Sequence, residues 1–254
     1  MKVRILGCGT STGVPKIGND WGLCDPTEPR NARLRTSILV ESADERMLVD
    51  CGPDLRQQLL AAGVSRLAGA IVTHVHGDHC HGIDELRPVA QAVGAPVPLH
   101  GRADVLDELR LRFAYVFGQS NFYRPICDAR ELGRELTFGA AKARFVDQPH
   151  GGPTSLGIRF DEAEFSVGYA IDFSRLSDDM LALYQGVDVW IADCLTRKPH
   201  PTHMHLDGVL AAARDLRVGQ LYLVHMGNGL DYRQLCAELP DWAAPAYDGL
   251  EIAS

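Results

Sequence analysis

Four side chains of types that bind metal ions fall within six consecutive residues, at His74, His76, Asp78 and His79. They follow directly on residues 70–73, an apolar run typical of a buried strand. His74 and His76 share one side if the chain stays extended, because alternate residues of a strand point the same way. We expect Gly77 to allow a hairpin bend that turns Asp78 and His79 toward a second position. Imidazole and carboxylate are ligands for zinc, manganese and iron, so this segment predicts a metal site, with a histidine-rich surface turn as the alternative.

The elements that must position this segment alternate between short apolar runs and helical patterns, which is typical of a layered α/β protein. The pattern predicts strands at residues 3–6, 37–41, 47–49, 70–73, 97–100, 143–146, 156–160, 164–169, 187–192 and 221–224. It predicts helices at residues 54–62, 103–117, 177–184, 206–215 and 232–238. We therefore expect two sheets packed face to face, with helices outside.

Composition excludes several other classes of protein. The 254 residues are 46% hydrophobic and show no linker-like stretch, so we expect one domain over residues 1–254. The 25 basic and 33 acidic side chains give a net charge of −8 without long charged blocks, which argues against duplex nucleic acid as a partner. Apolar runs are shorter than the roughly 20 residues that span a bilayer, so we expect no membrane association. Seven cysteines without a repeated spacing suit reduced thiols and a cytoplasmic location.

The motif His74-x-His76-x-Asp78-His79 resembles the defining motif of the metallo-β-lactamase superfamily. The rest of that pattern is found in order, each residue after a predicted strand, at Asp50, His150, Asp172 and His225. The resemblance covers essentially the whole chain. It implies the α/β class and, within it, the four-layer αβ/βα sandwich of the metallo-β-lactamase fold.

The resemblance also implies two divalent metal ions, zinc or manganese, with iron as a further option. By the family's arrangement one ion takes His74, His76, His150 and Asp172, and the other takes Asp78, His79, Asp172 and His225. Asp50 is implied to brace the metal loop from behind without binding metal. Alone, His150 or His225 would more often be a structural histidine and Asp172 a turn or helix cap, but their joint occurrence favours a metal centre.

Such a centre predicts a hydrolase. A water held between two cations loses its proton near neutral pH, because metal binding lowers its pKa from about 15.7 toward about 7. The resulting metal-bound hydroxide is expected to attack the substrate, and Asp78 is a candidate catalytic residue beside it. Members of the superfamily hydrolyse thioesters, lactones, β-lactams and phosphodiesters, so the metal ligands alone do not name the substrate.

His203 narrows the choice of substrate. It precedes a helical pattern and resembles the histidine that protonates the leaving alcohol in the phosphodiesterase branch, which includes tRNase Z and phosphoribosyl 1,2-cyclic phosphate phosphodiesterase. A positioned acid speeds such cleavage by about 10²- to 10⁴-fold, so His203 is the predicted general acid. A polar loop containing His200, His203 and His205 is the structural alternative.

The N-terminal segment supports the same branch. Residues 6–15 resemble the glycine-rich first loop of cyclic phosphodiesterases, and Arg33 and Arg35 follow as candidates for a substrate phosphate or as surface arginines. The prediction is therefore a phosphodiesterase for a small substrate, with cyclic sugar phosphates such as a phosphoribosyl cyclic phosphate among the candidates.

Four other functions were weighed against a phosphodiesterase. A lactonase or other small-ester hydrolase is the enzymatic alternative, and a metal-binding scaffold without turnover is the non-enzymatic one. A β-lactamase would usually offer a cysteine ligand and a secretory signal. A tRNA-processing enzyme would usually carry a long basic arm. The sequence shows none of these three features, so neither enzyme is expected. Dimers are common among relatives, so a homodimer stays open.

Overall fold

The structure is a computed structural model that describes residues 1–118, 124–152 and 154–254. Within them it contains the strands β1 (Lys2–Gly7), β2 (Ser37–Ser42), β3 (Glu45–Val49), β4 (Gly69–Ile71), β5 (Val97–Gly101), β6 (Cys127–Glu131), β7 (Glu135–Phe138), β8 (Ala141–Pro149), β9 (Thr154–Glu162), β10 (Phe165–Ala170), β11 (Val189–Asp193), β12 (Gln220–Val224), β13 (Ala243–Pro245) and β14 (Glu251–Ala253). These strands form two seven-stranded sheets, ordered β14-β1-β2-β3-β4-β5-β6 and β13-β12-β11-β10-β9-β8-β7.

Each sheet is antiparallel on one side and parallel on the other. In the first sheet β14, β1, β2 and β3 pair antiparallel, and β3 to β6 pair parallel. In the second sheet β7 to β10 pair antiparallel, and β10 to β13 pair parallel. The carboxyl ends of parallel strands meet at one edge of a sheet, which is where open α/β sheets usually bind ligands.

Helices cover the outer face of each sheet. They are α1 (Leu55–Ala62), α2 (Gly77–Cys80), α3 (Arg87–Val93), α4 (Ala103–Arg112), α5 (Ala114–Phe117), α6 (Asp178–Tyr184), α7 (Leu206–Leu216) and α8 (Tyr232–Glu238). Buried side chains of α1, α3 and α4 join a core cluster on the first sheet, and those of α6 and α7 join the cluster on the second. This arrangement is the four-layer αβ/βα sandwich that the sequence predicts.

Strand β2 shows why the sequence folds this way. Ile38 and Val40 belong to the cluster shared by the two sheets, whereas Leu39 belongs to the cluster under α1. All three are fully buried, because alternate residues of a strand covered on both faces meet apolar partners on each side. A continuous apolar run therefore marks a strand in the middle of the sandwich.

The structure differs from the sequence prediction in several elements. The helix predicted over residues 103–117 is two helices, because the chain breaks at Phe113, whose φ of −123° and ψ of 44° are not helical. Helix α3 and the strands β6, β7, β13 and β14 were not predicted. Within the described residues, no helix is both long enough and apolar enough to cross a membrane.

Candidate metal centre

The predicted ligands follow strand ends along one edge of the sandwich. The 74–79 segment comes after β4, His150 after β8, Asp172 after β10 and His225 after β12, while Asp50 follows β3. Asp50, Asp172 and His225 have φ values of 65°, 52° and 57°. Left-handed backbone costs a non-glycine residue about 1–3 kcal/mol and persists only where the surroundings enforce it. Three of the seven non-glycine residues with positive φ in the described parts of the chain therefore lie at the candidate site.

The metal loop contains a helical turn in place of the hairpin bend predicted at Gly77, and that prediction was wrong. His76 precedes α2 in extended conformation with ψ 149°, and the amide of His79 donates to the carbonyl of His76 at 3.0 Å. Within the described residues β4 pairs only with the parallel strands β3 and β5, so no hairpin forms and a local helical turn satisfies the backbone groups. A Cβ at Gly77 would lie 3.0 Å from the His81 ring, which explains the glycine.

A first group of side chains, which we call the first position, consists of His74, His76, His150 and Asp172. His74 Nε2 and His150 Nε2 lie 3.4 and 3.2 Å from Asp172 Oδ2. His76 Nδ1 lies 3.0 Å from His74 Nε2 and 3.3 Å from His150 Nε2. The four ligand atoms therefore converge on one point, with all of them within 4.8 Å of one another.

A second group, the second position, consists of Asp78, His79, His225 and the same Asp172. His79 Nε2 and His225 Nε2 lie 3.1 and 3.4 Å from Asp78 Oδ2. The same two nitrogens lie 3.5 and 3.4 Å from Asp172 Oδ1. Asp172 thus turns one oxygen toward each position, as a bridging carboxylate does. The structure brings all seven predicted side chains together.

The geometry of both positions fits divalent cations. Tetrahedral zinc with ligands at 2.0–2.1 Å places neighbouring ligand atoms about 3.3 Å apart, which matches the separations found here. His79 Nε2 and Asp172 Oδ1 are buried without a hydrogen-bond partner. Such orphaned polar atoms are costly, and a bound cation would satisfy both of them.

Two of the candidate ligand imidazoles, those of His79 and His150, are oriented by hydrogen bonds to the nitrogen that faces away from the site. The Asp50 carboxylate is fully buried and lies 2.8 Å from His79 Nδ1, and it accepts hydrogen bonds from the amide and hydroxyl of Thr73. His150 Nδ1 donates to the Thr202 carbonyl at 2.9 Å. These bonds leave Nε2 of His79 and His150 free to face the candidate centre, which is the usual support for metal-binding histidines. Asp50 lies where a bracing residue is needed.

The electrostatics of the two positions differ. Burial lowers the pKa of His74 and His150 at the first position. Partial burial of its ring and the neighbouring His74 lower the pKa of His76, which as a whole residue is exposed. Burial also acts to lower the pKa of His225, but the carboxylates of Asp172, Asp78 and Asp193 outweigh it and raise the pKa to about 9. The pKa of His79 is likewise raised, because Asp172, Asp50 and Asp78 outweigh its burial. Without cations, the second position is therefore held by imidazolium–carboxylate pairs.

His203 lies beside both positions. Its ring is 4.9 Å from the His150 ring and stacks on the His225 ring at 5.0 Å with an 11° interplanar angle. Its Nδ1 lies 2.8 Å from Oδ2 of Asp193, a fully buried carboxylate at the end of β11. His205, by contrast, is the residue that precedes helix α7, and its side chain makes no capping bond.

Sequence reasoning missed Asp193. Its Oδ1 also lies 3.7 Å from His225 Nδ1, so one carboxylate faces a predicted ligand and the predicted acid. Asp172, Asp193, His203 and His225 form a further group whose ligand atoms lie within 4.8 Å of one another. The available signal was an aspartate closing the apolar strand 189–193, the same pattern that singled out Asp50.

The two arginines considered for substrate phosphate have other partners. Arg33 is only 2% exposed, and its guanidinium donates to the backbone carbonyls of Gly227 and Leu230. Arg35 pairs with Asp54 at 2.8 Å and donates to the Ser11 carbonyl at 3.3 Å. Arg33 is therefore an internal residue, not a surface contact for a ligand.

Comparison with known proteins identifies the family. The profile of the beta-lactamase superfamily domain matches residues 45–226, which include the seven predicted ligands. The chain belongs to this superfamily and is a metal-dependent hydrolase of the metallo-β-lactamase fold. Within it, the chain falls in the branch that resembles the PhnP family, because a crystal structure described as a new diphosphatase from that family superimposes with a TM-score of 0.90. That protein is 32% identical, and the match covers 99% of this chain and 96% of the other.

Two further relatives are similar in sequence. An octanoyltransferase of Porphyromonas gingivalis is 30% identical over 259 residues, a match that covers 99% of this chain and 51% of the relative. This chain thus spans about half the length of that protein. A ribonuclease Z of Pseudomonas putida is 37% identical over 97 residues, which cover 37% of this chain and 26% of the relative.

Proposed function

We propose that this chain is a dinuclear metal-dependent phosphodiesterase for a small substrate, with cyclic sugar phosphates among the candidates. The observation that carries the proposal is His203, which lies against both groups of candidate ligands and is held by the buried carboxylate of Asp193. The similarity to a PhnP-family diphosphatase and to a ribonuclease Z supports phosphorus chemistry.

The seven side chains of the first and second positions would hold the two ions within a single domain over residues 1–254. Zinc or manganese suits this set of imidazole and carboxylate ligands, and iron is also compatible. Bound there, the cations would act as Lewis acids that lower the pKa of a coordinated water and offset negative charge on substrate oxygens.

His203 is proposed to supply the proton that the leaving group needs. Its Nδ1 is fixed by Asp193, so its Nε2 is the atom that can hand a proton to an oxygen beside the metal ligands. The contact with Asp193 also holds the orientation of the imidazole ring. Asp78 is proposed to act with it, because its Oδ2 lies between His79 and His225 and carries negative charge into the site.

The burial of His203 supports a catalytic role over a plain polar loop. Its side chain is 12% exposed, which leaves it reachable by a substrate but closed on the Asp193 side. His200, three residues earlier, is exposed and lies 5.3 Å away between ring centres. A lactone releases an alkoxide as well, but the phosphorus-hydrolysing relatives make a phosphodiester the better supported substrate.

Hydrolysis assays with manganese or zinc test the proposal. The protein should cleave bis(p-nitrophenyl) phosphate and at least one member of a panel of sugar cyclic phosphates. His74→Ala should abolish turnover on every substrate, because it removes a ligand of the first position. Cleavage of lactones without any cleavage of diesters would support the lactonase alternative, and no cleavage of either would favour a scaffold.

A further inference from the structure

The turn that follows His225 is held by hydrogen bonds to several other segments of the chain. His225 has a φ of 57°, and left-handed backbone is maintained only when neighbouring groups over-determine it. On the far side of His225 the chain makes a turn, in which the amide of Leu230 donates to the carbonyl of Gly227 at 3.2 Å. The position of the His225 imidazole therefore depends on what holds residues 226–230.

Backbone groups hold the beginning of this turn. The amide of Met226 donates to the Cys8 carbonyl at 2.9 Å, and the amide of Thr10 donates to the Met226 carbonyl at 3.2 Å. The amide of Gly227 donates to the Leu195 carbonyl at 3.1 Å. These bonds fix Met226 and one side of Gly227, and the amide of Leu23 donates to the Asn228 carbonyl at 2.8 Å. The Leu230 carbonyl and the second lone pair of the Gly227 carbonyl are left to side-chain partners.

Besides the Cys24 thiol, which donates to the Leu230 carbonyl at 3.5 Å, the side chain of Arg33 supplies those partners. Its Nη1 donates to the Gly227 carbonyl at 3.2 Å, and its Nη2 donates to the Leu230 carbonyl at 2.6 Å. One planar side chain therefore spans both ends of the turn with two separate nitrogens, whereas the donors of a lysine would all leave from one atom. Nη2 also donates to Asn31 Oδ1 at 3.2 Å, and Asn31 Oδ1 in turn accepts from the amide of Tyr232.

The charge of Arg33 makes this arrangement costly. The residue is 2% exposed, and within the described residues its guanidinium forms no salt bridge. Its partners are carbonyls, an amide oxygen and the Cys24 sulfur at 3.9 Å. The carboxylate of Asp248 interacts with the charge of Arg33 without a hydrogen bond to it. Burying a cation without a directly bonded anion is unfavourable, so a fold that keeps it gains something specific from its bonds.

We infer that Arg33 is a positioning residue that sets the affinity of the second position for its cation. This inference rests on the proposed metal centre. The second position takes His225 from the strained strand end that Arg33 secures. The ligands of the first position come from β4, β8 and β10, and Arg33 makes no hydrogen bond to their loops. Loss of Arg33 should therefore weaken one cation and spare the other.

Two-step metal titration of the metal-free chain tests this inference. Wild-type protein should bind two zinc ions per chain by calorimetry at 25 °C. Arg33→Met should bind the first ion with affinity within about twofold of wild type and the second about 10- to 100-fold more weakly, which is the usual effect of losing a supporting group. Arg33→Lys should weaken the second ion less than Arg33→Met does, because it keeps the charge and one donor site.

Arg30→Met is the matched control. Arg30, three residues before Arg33, stacks on Tyr232 and Tyr247. Within the described residues it forms no hydrogen bond to residues 226–230, so both ions should bind as in wild type. Equal affinity for the second ion in wild type and Arg33→Met would overturn the inference, as would equal weakening of both ions. If Arg33→Met does not fold, Arg33→Lys carries the same comparison. Wild-type protein that binds fewer than two ions would instead overturn the proposed centre itself.

Discussion

The two candidate cation positions share Asp172 but differ in access to solvent. At the first position His76 is exposed, whereas the histidines of the second position, His79 and His225, are almost completely buried. The first position is supported mainly by backbone and hydroxyl groups, since His150 donates to the Thr202 carbonyl. The second has buried carboxylates behind its histidines, namely Asp50 behind His79 and Asp193 near His225.

This difference shows how each position is kept together before a cation arrives. The imidazoles of the first position have lowered pKa values, so they are neutral at neutral pH and ready to bind. The raised pKa values of His79 and His225 mean that protons occupy the second position. A cation must displace those protons, because imidazole binds metal only when it is neutral. The first position should therefore fill before the second.

The largest expected effect comes from removing the residue that the two positions share. Asp172→Ala should lose both ions and lower hydrolysis by about 10³-fold or more, because several kcal/mol of transition-state stabilisation would be lost with the cations. Metal content by mass spectrometry and diester hydrolysis measure the two effects. Asp172→Asn, which keeps the shape without the charge, controls for packing and should also bind poorly. Retention of both ions by Asp172→Ala would show that the two positions do not depend on a shared carboxylate.

His203→Ala separates metal binding from proton donation. The variant should keep both ions and lose about 10²- to 10⁴-fold in activity toward a sugar cyclic phosphate, whose leaving alkoxide needs a proton. With a nitrophenyl diester the loss should be about tenfold or less, because that leaving group is stable as an anion. His200→Ala, at the exposed neighbour, is the matched control and should retain its metals. Equal losses on both substrates would remove the proton-donor role.

Asp50→Ala sharpens the contrast between the positions. The Asp50 carboxylate lies 2.8 Å from His79 Nδ1 and orients that ring. Its removal should therefore weaken the binding of the ion at the second position by about 10- to 100-fold. The ion at the first position should be affected less, because the hydrogen bonds of Asp50 reach His74 through Thr73 and not directly. Two-step zinc titration at pH 7 measures both. A larger loss of affinity at the first position would show that Asp50 supports that position and not the second.

The pH dependence of metal binding offers a finer test. With a pKa of about 9, His225 is protonated at pH 7 in the metal-free chain and must release that proton when a cation binds. The apparent affinity of the second position should rise by about tenfold or more from pH 7 to pH 8, because the raised pKa of His79 adds a second proton to be displaced. The first position should change little above pH 7, because its imidazoles have lowered pKa values. Parallel pH profiles for the two ions would contradict this difference.

The sequence predicted the middle of the fold better than its edges. Strands buried on both faces, such as β2 and β11, are continuous apolar runs and were found. The four strands that were missed, β6, β7, β13 and β14, are the outermost strands of the two sheets. In β6 only Cys127 is fully buried, so the segment lacks an apolar pattern. Its extended form depends on pairing with β5, which is a tertiary contact that no local pattern contains.

The candidate site likewise has a part that the sequence predicted directly and a part that it did not. His74, His76, Asp78 and His79 lie within one segment, so their spacing alone suggested a metal site. His150, Asp172 and His225 are far apart along the chain, and only resemblance to a family placed them together. Asp193 was missed because its importance lies in a 2.8 Å contact with His203, which neither residue shows in sequence.

Anomalous diffraction from crystals grown with zinc or manganese tests the two-position centre most directly. The expected result is two peaks about 3.5–4 Å apart, with Asp172 between them, one peak next to His76 and the other next to His225. A single peak among Asp172, Asp193, His203 and His225, or none near these residues, would contradict it.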